Sequence, residues 1–177
     1  MPAVLSRMDP PGGFRWTPSV AQGGRRGVSY YGRWPSPTQG RSILLRAKEL
    51  LPIVSFLEAC AVLQLIQEFR EQPGVLTRFV GGESAEYRPD FIFSRNGTFY
   101  LVLASARSRA RGATLDANLM AYCGAERCYF RVRGFSPTKV SIAQLTALSP
   151  AQLKRGLLSD TQRGMVVTLF DELIGAP

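Results

Sequence analysis

The run Phe99-Tyr100-Leu101-Val102-Leu103-Ala104 is apolar at every position, with no alternation between polar and apolar side chains. A strand of this kind has no face to give to water, so it belongs at the centre of a sheet covered on both sides. Just before it stands Arg95-Asn96-Gly97, and before that the short apolar stretch Phe91-Ile92-Phe93. Asn-Gly between two apolar runs is the strongest short-range hairpin signal, because both residues tolerate the positive φ angles of the tight turn. The chain is therefore expected to hold a hairpin, Phe91–Phe93 with Thr98–Ala104, inside a layered α/β fold.

Other elements follow from the same rules. Val75–Val80 reads as a strand, Gly81–Ser84 as a turn, and Cys128–Gly134 as a strand of alternating character. One long helix is expected from Ile53 to Phe69, with Pro52 in its first turn and a short turn through Arg46–Glu49 before it. This helix is apolar nearly all round, so it should be buried on most sides, with Glu58 as the exception. A helix at Leu115–Tyr122 and three more at Ser141–Leu148, Pro150–Leu157 and Thr161–Ile174 complete the reading.

Charge is the second constraint. The chain of 177 residues carries 22 Lys and Arg against 13 Asp and Glu. Residues 1–48 hold eight basic residues and one acid, Asp9, a net of +7 out of the total of +9. A basic arm on a nearly balanced core points to a polyanionic partner, most often nucleic acid. The arm is also rich in Gly and Pro, which excludes long helices and central strands, and it interleaves Phe14, Trp16, Tyr30, Tyr31 and Trp34 with Arg15, Arg25, Arg26 and Arg33. Two uses compete for it beside plain disorder: a strap whose aromatics pack across the core, or a nucleic-acid contact in which rings stack on bases and arginines meet phosphates. The expected organisation is a basic arm at 1–41, an α/β core at 42–148 and a helical extension at 149–177.

Three cysteines, Cys60, Cys123 and Cys128, make no disulfide framework, and the chain has no histidine. A structural zinc site needs about four N or S ligands, which this set does not supply. Reduced thiols fit a cytoplasmic protein. The longest apolar run, Leu50 to Ile66, falls short of the roughly 20 residues of a membrane span and contains Glu58 and Gln64, so no membrane association is expected.

Taken together, the order is a helix with acidic residues, Glu71-Gln72-Pro73, Tyr87-Arg88-Pro89-Asp90-Phe91, an Asn-Gly turn into an apolar strand, a helix and a last strand. Over residues 40–148 it resembles the N-terminal nuclease domain of TnsA-type transposon endonucleases. That resemblance implies a restriction-endonuclease-like core, a central mixed β-sheet flanked by helices. Such enzymes cleave DNA at transposon ends with Mg²⁺, beside a transposase and an ATPase. Their site uses a helix Glu, the Asp of a Pro-Asp dipeptide, and then an acid or Gln and a Lys two residues apart on the next strand, where both face the same way.

Carried over, the Asp is Asp90, and the helix Glu is Glu58 or Glu49, between which spacing does not choose. The acid position falls on Leu103 and the Lys position on Ser105. Asp90 and Glu58 are thus the candidate metal ligands, and Asp90, Glu58 and Glu49 the candidate catalytic residues. Hard cations need oxygen ligands, so a set missing two of its four members holds Mg²⁺ weakly or not at all. The alternative local readings are an Asp90 that caps a turn or pairs with Arg88, and a Glu58 held by an arginine of the basic segment 106–112. Relocated groups, Arg107 or Arg109 with Glu86 or Asp116, are the route by which activity would survive. The expected function is DNA binding by a degenerate nuclease fold accessory to mobile-element transposition or recombination. Duplex phosphates would be met by Arg107, Arg109, Arg111, Arg131, Arg133, Arg25 and Arg26. An active Mg²⁺- or Mn²⁺-dependent endonuclease and a protein-interaction scaffold are the alternatives.

Overall fold

In the computed structural model, residues 14–18, 32–80, 83–103, 117, 130–135 and 137–175 are described. The fold is mixed α/β, with three sheets among the described residues, one of them mixed. The chain divides into two units, Met1–Arg26 with Arg70–Gly134, and Gly27–Phe69 with Phe135–Pro177.

The first unit is built around the expected hairpin. Strand β7 (Phe91–Arg95) pairs antiparallel with β8 (Thr98–Leu103), and the two-residue link Asn96-Gly97 takes φ of 48° and 77°. Two positive angles in succession match the turn whose twist suits a hairpin. Phe93 and Tyr100, paired across the strands, stack with ring centroids 4.7 Å apart. On its other side β8 pairs parallel with β9 (Phe130–Gly134), so β8 is internal, as its unbroken apolar run requires. The full order is β4–β7–β8–β9, where β4 is Glu68–Glu71. A parallel pair needs a long crossover. Here it is residues 104–129; the helix expected at 115–122 lies outside the described residues apart from Ala117.

The unit's other sheet is antiparallel, in the order β1–β5–β6: Phe14–Pro18, Gly74–Val80 and Glu83–Tyr87. The β5–β6 hairpin is an excursion from the mixed sheet. The chain leaves it at Gln72-Pro73 and returns through Arg88-Pro89-Asp90, and the Gln72 N–H donates to the Asp90 carbonyl at 2.8 Å, tying the two links together. Gln72 takes a positive φ of 42° at this corner.

In the second unit, α1 (Leu51–Val62) is central, with every residue from Pro52 to Cys60 buried. It packs against α2 (Lys139–Thr146), α3 (Pro150–Lys154), α4 (Asp160–Ile174) and β2 (Gly32–Ser36), which pairs antiparallel with β3 (Arg41–Leu45). Phe56 lies at 0% exposure and stacks on Phe135 with centroids 4.8 Å apart. The C-terminal helices open on side-chain caps: Thr138 accepts from the Ser141 N–H, Ser149 from the Gln152 N–H, and Ser159 forms a reciprocal capping box with Gln162.

Two expectations are corrected. The helix does not reach Phe69; it ends at Val62, and Glu68–Glu71 is a strand. The stop is a Schellman motif: Leu65 N–H donates to Cys60 O at 2.9 Å and Gln64 N–H to Ala61 O at 3.0 Å, with Gln64 at φ 58°. A glutamine occupies the left-handed position that glycine usually takes. The turn expected at Gly81–Ser84 is also shorter, because β6 begins at Glu83. Within the basic arm, Phe14–Pro18 and Gly32–Ser36 form short strands at sheet edges. Among the described residues, no helix is long and apolar enough to cross a membrane.

Candidate nucleic-acid interface

Asp90 stands where β7 begins, half-buried, after the buried Pro89. Its N–H donates to the Val102 carbonyl at 2.9 Å, although Phe91 is the residue paired with Val102. Two successive residues of one strand thus address one residue of the other, the signature of a β-bulge, which re-aims side chains at strand ends. Across from this bulge, β8 closes on Leu103, which is 4% exposed and opposite Gly134 of β9. Leu103 offers neither an oxygen nor a charge at the strand end beside Asp90. Ser105 lies outside the described residues.

Glu58 projects from the middle of α1 and is 0% exposed. Its Oε2 accepts from Thr38 Oγ1 at 2.6 Å and from the Thr38 N–H at 3.3 Å, so the carboxyl pins the β2–β3 turn to the helix. The same turn is braced by Gln39, whose side-chain amide donates to the Phe69 carbonyl at 2.7 Å and whose N–H donates to Ser36 Oγ at 3.2 Å. Burial pushes the Glu58 carboxyl up from its ordinary value, and Ser36, Thr38 and the Arg41 guanidinium counter it only in part. Oε1 is buried without a hydrogen-bond partner. The group that holds Glu58 is thus Thr38 of a neighbouring turn; the basic segment proposed as its anchor, with Arg107, Arg109 and Arg111, lies outside the described residues.

The other candidates are scattered. Glu49 is exposed, in the single turn Lys48–Leu50 ahead of α1. Asp90 belongs to the first unit and both glutamates to the second. Among the described residues, no group of three or more His, Cys, Asp or Glu gathers in a way that could hold a metal ion. Glu86 pairs instead with Arg88 at 2.6 Å, with side chains 54% and 66% exposed, a surface pair of small energetic weight. Arg131 and Arg133 share one face of the edge strand β9 and are half-buried and partnered; Arg133 Nη1 donates to the Val132 carbonyl at 3.1 Å. Arg25, Arg26 and Asp116 lie outside the described residues.

Two residues, Arg70 and Arg78, had no part as candidates in the sequence reading, and Trp16 entered it only for its ring. Trp16, Arg70 and Arg78 of the first unit each carry a side-chain N–H that is buried without an acceptor, as does Trp34 of the second, where Ser55 Oγ also lacks a partner. The signal for Arg78 was local: an arginine two residues from Leu76 in a strand that otherwise presents apolar or small side chains on that face.

No family model and no curated protein matches the chain. Among solved structures, a crystal structure of protein VC1899 from Vibrio cholerae is similar over 74% of this chain and 35% of that one, at 14% identity and a TM-score of 0.37, so the chain spans about a third of that protein's length.

Proposed function

We propose that the chain is a DNA-binding protein on a restriction-endonuclease-like scaffold of the TnsA type that has lost most or all of its cutting chemistry. It acts as an accessory subunit of a transposition or recombination complex, with a transposase and an ATPase as partners, and its free, buried Cys60 suits the reducing cytoplasm. The observation that carries the reading is the β7–β8 hairpin, where Asp90 stands at a bulge beside a strand end filled by the buried Leu103. Phosphodiester hydrolysis with a divalent metal asks the neighbouring strand for a second oxygen ligand and a cation. A leucine in the acid position and a serine in the lysine position remove an acid–base or electrostatic contribution worth about 10²–10⁴ in rate. Affinity for the phosphate backbone does not depend on those groups. It comes from cationic surface, here a chain of net charge +9 with Arg131 and Arg133 on an edge strand.

The test is fluorescence anisotropy with labelled duplex DNA across a salt series. The expected result is micromolar or tighter binding at about 50 mM salt that weakens steeply as salt rises. Absence of binding at that salt would remove the proposal.

A further inference from the structure

Two of the unpaired donors of the first unit, those of Trp16 and Arg78, lie on one sheet. Trp16 on β1 is in register with Leu76 on β5, and Tyr87 on β6 is in register with Leu76 from the other side. Directly opposed residues share a face of an antiparallel sheet, and so do residues i and i+2 of one strand. Trp16, Leu76, Tyr87 and Arg78 therefore lie on one face. Arg78 and Trp16 are diagonal neighbours, about 7–8 Å apart at the backbone, a spacing that long side chains bridge.

This is the covered face of the sheet. Leu76 is 0% exposed, and Trp16, Arg78 and Tyr87 are half-buried, while Arg15, Phe79 and Glu86 on the opposite face are exposed. Arg78 Nε and Trp16 Nε1 are both buried with no acceptor. Among the residues whose side chains are described, no carboxylate pairs with Arg78. A guanidinium stays charged at every physiological pH, so unlike a buried acid it cannot escape the cost of burial by changing its protonation. An indole can only donate. Two donors of this kind, at diagonal positions on one face of adjacent strands, suit one acceptor with several oxygens. Ala85, opposite Arg78 on the outer strand β6, is small and exposed, so the guanidinium has an open side at the sheet's rim.

We propose that Arg78 and Trp16 form an oxyanion site on the inner face of the β1–β5–β6 sheet, and that its ligand is a phosphate group. The guanidinium supplies charge and directed donors, the indole N–H fixes a further oxygen, and the rings of Trp16 and Tyr87 flank whatever the phosphate is attached to. The same chemistry is offered by free phosphate or a nucleotide and by the phosphodiester of a single strand. The site stands apart from duplex binding, and loss of either leaves the other intact.

The experiment uses the full chain at constant ionic strength. Thermal melts in sodium phosphate and in sodium chloride are compared for wild type and Arg78→Met, and inorganic phosphate and a short oligothymidylate are titrated in turn while tryptophan emission is followed. Phosphate is expected to raise the wild-type Tm more than that of R78M, whose affinity for phosphate falls about tenfold or more. Trp16→Phe, which keeps a ring and removes the N–H, weakens phosphate severalfold. Without phosphate, R78M melts no lower than wild type, because it removes a half-buried guanidinium whose buried Nε–H has no acceptor. Oligothymidylate binding at least tenfold tighter than phosphate identifies a polynucleotide ligand, and equal affinity identifies a free phosphate or nucleotide. An identical phosphate response in R78M overturns the proposal. So does an R78M that melts well below wild type while phosphate stabilises neither protein, since Arg78 would then be held by an acid of the chain itself.

Discussion

Glu58 in the second unit and Arg78 in the first are both charged residues placed on the covered side of their elements, and the chain treats them differently. Glu58 is met from within its own unit, by Thr38 Oγ1 at 2.6 Å and the Thr38 N–H at 3.3 Å, with the Arg41 guanidinium contributing attraction. Arg78 presents a buried Nε–H with no acceptor, and Trp16 does the same on the adjoining strand. A carboxyl can also shed its charge by taking up a proton, whereas a guanidinium cannot. One oxygen of the buried carboxyl is thus satisfied inside the second unit, where Glu58 Oε1, Ser55 Oγ and Trp34 Nε1 are left without partners, whereas the buried donor of Arg78 is the one we propose an external anion meets.

The largest effect that bears on this contrast is expected in the second unit's core. Phe56→Ala removes a wholly buried ring stacked on Phe135, and should cost about 3–5 kcal/mol in urea unfolding. A loss below about 1 kcal/mol would mean that α1 is not the support on which the Thr38–Glu58 contact rests. Next, Gly97→Val forces a β-branched side chain into φ of 77° at the β7–β8 turn, and should cost about 1–2 kcal/mol by the same measurement. An unaffected protein would show that the hairpin bearing Asp90 is not held by that turn.

Glu58→Gln sharpens the comparison through pH. The folded-state value of Glu58 lies above its ordinary 4.5, so its contribution to stability is complete below that value and is lost as pH rises through the raised one. The amide keeps an acceptor for Thr38 and carries no charge. In melts from pH 4 to 9, Glu58→Gln should therefore gain on wild type as pH rises and be the more stable protein at the alkaline end. A gap that does not vary with pH would mean the carboxyl is not destabilised by burial. The smallest effect is expected at Arg88→Ala, which breaks the exposed pair with Glu86 and should change stability by no more than about 0.5 kcal/mol. A larger loss would show that surface pairing carries more of the first unit than its buried groups do.

What could be read from the chain was what local rules specify. The Asn96-Gly97 turn, the internal strand after it and the helix starts at Ser149 and Ser159 all have their determinants within a few residues. The end of α1 was illegible because Gln64, not a glycine, takes the left-handed position, so the apolar pattern runs on past the true stop. The strand Phe14–Pro18 was hidden for another reason. Its pairing partner is Gly74–Val80, some 60 residues on, and no local pattern specifies such a contact. At the candidate site, the place of Asp90 at the head of a strand was legible from Pro89, but its bulge was not, because a bulge is a property of the pairing rather than of either strand. Nor could spacing reveal that Thr38 is the partner of Glu58, since the two meet only when the β2–β3 turn folds back on the helix.

A scaffold that grips DNA without cutting it, as proposed, has two properties that one gel reads. Supercoiled plasmid is incubated with wild type and with Asp90→Ala in Mn²⁺ at low salt; half of each sample is run directly and half after the protein is digested away. The expected result is retarded plasmid in the first half and intact supercoiled plasmid in the second, for both proteins. Plasmid that migrates freely, or that is nicked by wild type and spared by Asp90→Ala, would contradict it.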